Sequence, residues 1–443
     1  MLKLFVIDLP GEATALDLAL RAQEAGHTVR YWQPLQRGTG KVLPYGEGMV
    51  VRVADWEASV EWADLIVVND NDRMHAEVAD LIGRGYPVFA TNPKAAELEL
   101  SREVGQRVLA EHDIATLPYV LVKSIEEAVT HIAKTDAAYA IKPWGGATDK
   151  SLTAVPSSPE DAIFLLRKWE REGKAAGQLM LQEKVDGIEM GIAGWFGPGG
   201  WCKALEESFE HKRLMDGELG CNTGEQGTVL RHVTDSLLFD MVLEPLTDYL
   251  QRIGYVGNIS VNCIIDKDGV PWPLEFTCRF GIPSTYLTYE LLRVDPIEWM
   301  LDLLDGKDTF KVSTDVAIGV VMSHGDYPRG EDPLGTWAGY PVRGVTSENS
   351  EHVHWVMAAR GTYPTLVQGT VRERRGVVTA GNYPLVVTAS ARSVQAARKA
   401  VYETVHQLDW PSDIGYRTDI GMRLREQLPE LQRLGFADEM RWD

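Results

Sequence analysis

Between Asn258 and Arg279 the chain reads Asn-Ile-Ser-Val-Asn-Cys-Ile-Ile-Asp-Lys-Asp-Gly-Val-Pro-Trp-Pro-Leu-Glu-Phe-Thr-Cys-Arg, a pattern that folds as an amphipathic β-hairpin. Asp268-Gly269 is a two-residue turn signal, because glycine accepts the positive φ such a turn requires. With those two at the tip, Asn262 falls opposite Glu275, Ser260 opposite Thr277 and Asn258 opposite Arg279. Side chains alternate between the faces of a strand, so these six polar residues share one face of the ribbon. Ile259, Val261, Cys263, Leu274, Phe276 and Cys278 share the other. Pro271 and Pro273 cannot donate ladder hydrogen bonds, so the register is expected to slip near the turn. A face that only meets water favours Lys, Glu and Thr; this mixture of amides, hydroxyls, one carboxylate and one guanidinium reads as a ligand surface. Its oxygens suit a hard cation such as Mg²⁺, and Arg279 suits a bidentate grip on an anion.

The first ninety or so of the 443 residues alternate strand and helix: strands at 4–8, 28–32, 65–69 and 88–90, helices at 13–25 and 76–83. That alternation argues for an open parallel sheet, whose ligands sit beyond the carboxyl ends of the strands. The relevant loops are Asp8–Glu12 and Asn69–Asp72, neither of which is a G-x-G-x-x-G fingerprint. One helix is expected over 94–110. A small α+β unit follows, with strands at 119–123, 139–143 and 179–183 and helices at 126–133 and 159–171. Beyond residue 326 the pattern of strands and one helix at 394–408 reads as a separate α+β domain. The fold class is thus α/β and α+β multidomain, with an N-terminal open parallel sheet over 1–93, a core over 94–325 and a C-terminal domain over 326–443.

Composition narrows the partners. Forty-four Lys plus Arg against 64 Asp plus Glu give a formal charge of −20. So acidic a chain is a poor nonspecific partner for nucleic acid or an anionic membrane. The four cysteines, Cys202, Cys221, Cys263 and Cys278, make no C-x-x-C pair, which argues against a zinc site or disulfide framework. The opening Met1–Asp8 reads as a first strand rather than a signal peptide, and no apolar run reaches the length of a membrane span. A cytoplasmic setting, small-molecule partners and a monomer or small homo-oligomer are the expectation.

Two further segments could meet anions. Lys142 ends a buried strand and precedes Trp144-Gly145-Gly146-Ala147-Thr148-Asp149-Lys150, where loop amides and ammonium groups can cradle phosphate oxygens; it is not a Walker A loop. Glu210-His211-Lys212-Arg213-Leu214-Met215-Asp216-Gly217 precedes the glycine-bearing stretch Gly220–Gly227 and reads as a charged loop.

Taken together and in order, these residues resemble the ATP-grasp ligases and, within them, the phosphoribosylamine–glycine ligase family. Leu274-Glu275-Phe276-Thr277-Cys278-Arg279-Phe280-Gly281 resembles its L-E-F-N-C-R-F-G. His211-Lys212-Arg213 with Asp216-Gly217 and Gly220–Gly224 resembles its H-K-R…D-G-D…G-P-N-T-G, and Tyr416-Arg417 with Asp419-Ile420-Gly421 its closing Y-R-x-D-I-G. Pro93–Glu99 and Val320–Pro328 match in place as well. The resemblance implies an ATP-grasp core with a small lid subdomain at about 119–188. It implies ATP and Mg²⁺ (or Mn²⁺), and a carboxylate and an amine joined as an amide through an acyl phosphate. Lys142, Gly145, Gly146, Lys150 and Lys212 would meet the ATP phosphates. The backbone of Gln182, Glu183, Lys184 and Val185 would read adenine, and Glu189 would hold the ribose. Glu275, Asn262 and Thr277 would face the metal, with Arg279 and Lys142 catalytic. Gly11, Asn222, Thr223, Gly224, Arg279 and Gly281 would meet the substrates.

The departures from the family pattern fall on the substrate side. The first loop, G-x-G-G-R-E-H-A in the family, is Asp8-Leu9-Pro10-Gly11-Glu12-Ala13-Thr14 here, and R-F-G-D-P-E-T-Q is Arg279-Phe280-Gly281-Ile282-Pro283-Ser284-Thr285-Tyr286. Pro10 has no amide hydrogen and Glu12 repels an anion. Weak activity with phosphoribosylamine plus glycine is therefore expected, and another amine or amino acid is the alternative substrate. Thr277 stands where the family has asparagine, which raises a second alternative, a non-catalytic nucleotide-binding relative; Asn262 can compensate through its amide oxygen.

Overall fold

A computed structural model describes residues 1–9, 15–34, 43–144, 153–174, 177–328 and 335–443. The apolar runs near the start form a parallel sheet in the order β2–β1–β3–β4, with β1 at Lys3–Ile7, β2 at Thr28–Trp32, β3 at Leu65–Val68 and β4 at Val88–Phe89. All four β3 residues are buried, as a strand covered on both faces requires. Asp8, Leu9 and Asn69–Asp72 follow β1 and β3 at their carboxyl ends. Residues 10–14 of the first loop, Gly11 among them, lie outside the described residues.

The single helix expected over 94–110 is two, Pro93–Leu100 and Arg102–Glu111. Ser101 between them is extended (φ −115°, ψ 108°), and its hydroxyl accepts from Val104 N at 3.4 Å, starting the second helix. Serine competes with the backbone for such bonds and favours caps over helix interiors. The break puts Arg102 at the head of a new helix.

Next comes a small antiparallel sheet, β5 (Tyr119–Val122), β6 (Tyr139–Pro143) and β7 (Leu179–Glu183), in the order β5–β7–β6. The helices Ile125–Thr135 and Pro159–Arg171 accompany it. Val122, Ile132, Ile141, Leu166, Trp169 and Leu181 form a core of its own. Glycine loop residues 145–150 lie outside the described residues.

The remaining strands build one large antiparallel sheet. They are β8 (Ile188–Gly197), β9 (Gly200–Trp201), β10 (Leu205–Met215), β11 (Leu219–Val233), β12 (Gly257–Ile265), β13 (Pro271–Thr277) and β14 (Val316–His324). The C-terminal stretch adds β15 (Ala338–Pro341), β16 (Val353–Trp355), β17 (Ala358–Val367), β18 (Thr370–Ala380) and β19 (Leu385–Ala391). The main path runs β13–β12–β8–β10–β11–β14–β19–β16, while β15, β18 and β17 form a side sheet. The expected separate C-terminal domain is thus hydrogen-bonded into the core: Val316–Met322 pairs with Leu385–Ala391 across the anticipated boundary. Both strands are rich in buried β-branched residues and cover each other's edges. One face of this sheet (Met190, Ile192, Phe209, Val229, Ile259, Val261, Ile318, Val387) packs into the largest core. An aromatic cluster of Phe89, Trp195, Phe280 and Trp299, with centroids 4.8–6.0 Å apart, joins β4 to β8.

The hairpin read from sequence is β12–β13, with Asn262 opposite Glu275 and Ser260 opposite Thr277. The tip differs. Cys263, Ile264 and Ile265 pair with Pro273, Trp272 and Pro271, so the loop is Lys267-Asp268-Gly269, one residue longer than a two-residue turn. Asp266 holds it together, its carboxylate accepting from Asp268 N, Val270 N and Trp272 Nε1 at 2.9 Å each. A bulge at Leu274 absorbs the extra residue, which leaves Leu274 half-exposed and keeps Glu275 on the Asn262 face. Asn258 and Arg279 lie beyond this ladder rather than opposite each other.

Candidate active site

The face of the large sheet opposite its main core carries the polar residues. Across it, Glu275, Asn262, Gly191 and Ser208 stand in one row on β13, β12, β8 and β10. A Cβ on Gly191 would lie 2.5 Å from Ser208 Oγ and 2.6 Å from Asn262 Oδ1, so glycine preserves the space beside both oxygens. Asn262 Nδ2 donates to Glu210 Oε2 at 2.8 Å, which turns the amide oxygen the other way. Lys212 Nζ lies 2.8 Å from Glu189 Oε1 and 3.2 Å from Glu210 Oε2. Burial works against this ammonium, but Glu189, Glu210 and Glu275 together hold its pKa well above the ordinary lysine value.

From the small sheet, Lys142 enters the same space. It is buried and its Nζ donates to Gln182 Oε1 at 2.8 Å. Burial, then the positive charges of Arg102 and Lys212, bring its pKa down to about 8, with Glu275 and Glu189 opposing them. Arg102 faces Glu275 and donates to Thr153 Oγ1 at 2.9 Å. Three cations and several carboxylates therefore meet between two sheets. Buried Gln182 Nε2, Glu225 Oε1 and Thr228 Oγ1 have no hydrogen-bond partner among the described residues. Each such atom costs about 1–3 kcal/mol, so the arrangement suits a polar ligand that satisfies them.

Among the described residues no group of three or more His, Cys, Asp or Glu is arranged to hold a metal by itself. Glu275, the Asn262 amide oxygen and the Thr277 hydroxyl instead offer hard donors on one face. A cation such as Mg²⁺, which keeps water and phosphate oxygens, needs only one or two protein carboxylates. The donor set fits it.

Arg279 and Gly281 belong to a second cluster, at the carboxyl ends of β1 and β3. Arg279 Nε donates to Glu99 Oε1 at 3.2 Å and lies 3.8 Å from Asp70 Oδ1. Buried Glu99 also accepts from Asn71 Nδ2 and Cys278 N, both at 2.8 Å. Asp8 is fully buried, accepting from Asn69 Nδ2 at 2.6 Å and from the Tyr31 hydroxyl. Burial and then the charge of Asp70 push its pKa well up. The Gly281 carbonyl accepts from Thr285 N at the start of the helix Ser284–Leu291. Glu99, Arg102 and Glu275 line one cleft, so the two clusters adjoin.

The structure thus brings Lys142, Gln182, Glu189, Lys212, Asn262 and Glu275 together and sets Arg279 and Gly281 beside the first sheet. Glu183 N donates to Pro118 O at 2.9 Å; exposed Lys184 and half-buried Val185 form the link from β7 to β8. Asn222, Thr223 and Gly224 are not loop residues. The expected charged loop over 210–217 and the glycine-bearing stretch after it are the long hairpin β10–β11, its ladder interrupted on either side of Arg213. Thr223 Oγ1 donates to Lys212 O at 2.8 Å, while Asn222 and Gly224 are exposed. Gly11, Gly145, Gly146 and Lys150 lie outside the described residues. Sequence reading missed Glu210, Glu225 and Arg102. The first was visible as the alternate-residue series Glu206, Ser208, Glu210, Lys212, a strand pattern. The contact of Arg102 with Glu275 has no local signal.

Among the described residues no helix is long and apolar enough to cross a membrane. Residues 101–285 match the family model of the phosphoribosylglycinamide synthetase ATP-grasp (A) domain, and residues 317–423 that of the C domain of the same synthetase. A phosphoribosylamine–glycine ligase of Ralstonia nicotianae is 28% identical over 83% of this chain and 86% of its own length. That of Allochromatium vinosum is 27% identical over 95% of this chain and 98% of its own length. The crystal structure of the Thermotoga maritima phosphoribosylamine–glycine ligase superposes with a TM-score of 0.70 at 18% identity, covering 95% of this chain and all of the other. With the two family models together spanning well over half of its residues, in the order and position of the sheets just described, the chain belongs to the phosphoribosylglycinamide synthetase family and has the ATP-grasp fold.

Proposed function

We propose that this chain is an ATP-dependent carboxylate–amine ligase of the phosphoribosylamine–glycine ligase type, forming an amide with release of ADP and phosphate. The observation that carries the reading is the meeting of Lys142 and Lys212 with Glu275 and Asn262 between the small and large sheets. In the reaction the substrate carboxylate attacks the γ-phosphorus of ATP. ADP leaves, and the amine then displaces phosphate from the acyl phosphate, losing one proton. Lys142 and Lys212 neutralise phosphate oxygens in a partly buried site, where fixed charges act more strongly than in bulk water. Glu189, anchored by Lys212, meets the ribose hydroxyls. Glu275 and Asn262 would hold Mg²⁺, which when bound would supply charge neutralisation at the phosphates. Arg279, steadied by Glu99, meets the acyl phosphate.

A second reading concerns the amine. Asp70 and Glu99 stand at the substrate end around Arg279, and carboxylates favour an ammonium or hydroxyl over a sugar phosphate. An amine other than phosphoribosylamine is the alternative this favours. ADP release measured with single and paired substrates decides between them. Robust glycine-dependent turnover with phosphoribosylamine supports the family substrates; ADP formation only with another pair supports the alternative. ATP binding without ADP release from any pair overturns the ligase reading.

A further inference from the structure

The closing motif Tyr416-Arg417-Thr418-Asp419-Ile420-Gly421 takes no part in the reaction as read above, yet Arg417 is buried to 1% exposure. Its neighbours grip the tip of β10–β11 residue by residue. Asp216 accepts from both the amide and the hydroxyl of Thr418. Gly217 N donates to Asp419 Oδ2 at 2.8 Å. Glu218 Oε1 accepts from Arg417 Nη2 at 2.7 Å. Arg417 and Asp419 are themselves paired, Nε to Oδ1 at 2.7 Å and Nη2 to Oδ2 at 2.9 Å.

The same segment, with Arg423 just beyond it, reaches further down the hairpin. The Glu210 carbonyl accepts from Arg423 Nη2, His211 Nε2 accepts from Gly421 N at 3.0 Å, and the Arg213 carbonyl accepts from Arg417 Nη1 at 3.1 Å. The residues on both sides of Lys212 are thus held from outside the hairpin. This is where the β10–β11 ladder breaks, with register shifts between His211 and Arg213 and again before Met215. Ladder bonds elsewhere fix a strand's position; here they are interrupted, and the clasp replaces them.

We infer that the segment Arg417–Gly421, with His211 as its receiving side chain, positions Lys212 for the ATP phosphates. This rests on the assignment of Lys212 to those phosphates. His211, Arg417 and Asp419 are positioning residues: they act through the backbone around Lys212, and misplacement of a binding group by about 1 Å is enough to matter.

The test is Mg·ATP affinity by calorimetry on the full chain, alongside the thermal midpoint without nucleotide. His211→Gln keeps an acceptor near the position of Nε2 and should bind ATP within about twofold of the native chain, whereas His211→Leu, which leaves Gly421 N–H unpaired, should weaken binding about tenfold. A merely structural role would lower the midpoint of His211→Leu and leave the affinity of the folded protein unchanged; that result, or equal losses in both variants, overturns the inference. Should His211→Leu fail to fold, Asp419→Asn keeps an acceptor for Gly217 and loses the ion pair with Arg417. A several-fold weaker ATP affinity is expected from it, and native affinity counts against the clasp. Lys212→Ala is the control: if it binds ATP like the native chain, the phosphate assignment itself falls and takes the inference with it, whereas a loss there with no effect at His211 or Asp419 removes the clasp alone.

Discussion

The two ends of the site are built differently. At the nucleotide end, Lys142, Lys212 and Glu189 project from strands of two sheets, and Asn262 and Glu275 are fixed by a cross-strand pair. At the substrate end, Asp8, Asp70 and Arg279 stand just past strand ends, in irregular backbone, around Glu99. Charge differs as well: cations and carboxylates are mixed in the first cluster, whereas acidic groups surround Arg279 in the second. Strand registers fix side chains to the pleat, whereas loops tolerate exchange. Most phosphate-handling groups are therefore held by strand pairing, Lys212 with outside support where its ladder is interrupted, whereas the groups facing the acceptor stand mostly outside the strands.

The sharpest way to test this division is at Glu275. Glu275→Gln removes the anionic oxygen nearest the cation donors and should lower Mg²⁺-dependent ADP release by about 10²-fold with an unchanged melting temperature. Near-native turnover would show that the donors lie elsewhere. Lys142→Ala comes next, with ATP affinity by calorimetry expected to fall about tenfold. Because the Lys142 pKa is depressed to about 8, its ammonium is present below that pH and lost above it. ATP affinity of the native chain should decline as pH rises through about 8, while that of Lys142→Arg stays level. A flat profile in both would mean that Lys142 carries no charge the phosphates use.

At the other end, Glu99→Gln should raise the Michaelis constant for the amine several-fold, since it removes the charge that steadies Arg279 and leaves Asp70 as its acidic partner, with ATP affinity unaltered. If both constants move together, the two ends are one unit and the comparison fails. The smallest effect is expected at Asn262→Ala, a loss of activity visible only at limiting Mg²⁺, with Thr277→Asn shifting the metal dependence the opposite way. Native behaviour of Asn262→Ala would remove it from the metal face.

How legible this was in the sequence depends on the range of the interaction. The β12–β13 pairing followed from Asp268-Gly269 and strict alternation, both local. The slip near the turn was expected from Pro271 and Pro273 and occurs between Asn262 and Cys263; its form, a bulge at Leu274, was not, because Asp266 reaching Val270 and Trp272 lengthens the loop, and that choice is made by one side chain. The split at Ser101 was readable from its capping chemistry, but helical periodicity on both sides outweighed it. Glu210 lay hidden in a charged run whose strand character comes from pairing with β11, fifteen residues long and interrupted. The joining of β14 to β19 is a contact between segments some seventy residues apart, and nothing local distinguishes such a strand from one that edges a separate domain.

The small sheet has one more property. Its entry and exit are tied together, Glu183 N donating to Pro118 O at 2.9 Å just before β5 begins, and it carries its own core. A segment with adjoining ends and an independent interior is a natural insertion. The half of the nucleotide end that supplies Lys142 and Gln182 therefore sits in a unit with its own interior, joined to the large sheet where its two ends lie side by side, while the half that supplies Glu275 belongs to the large sheet itself.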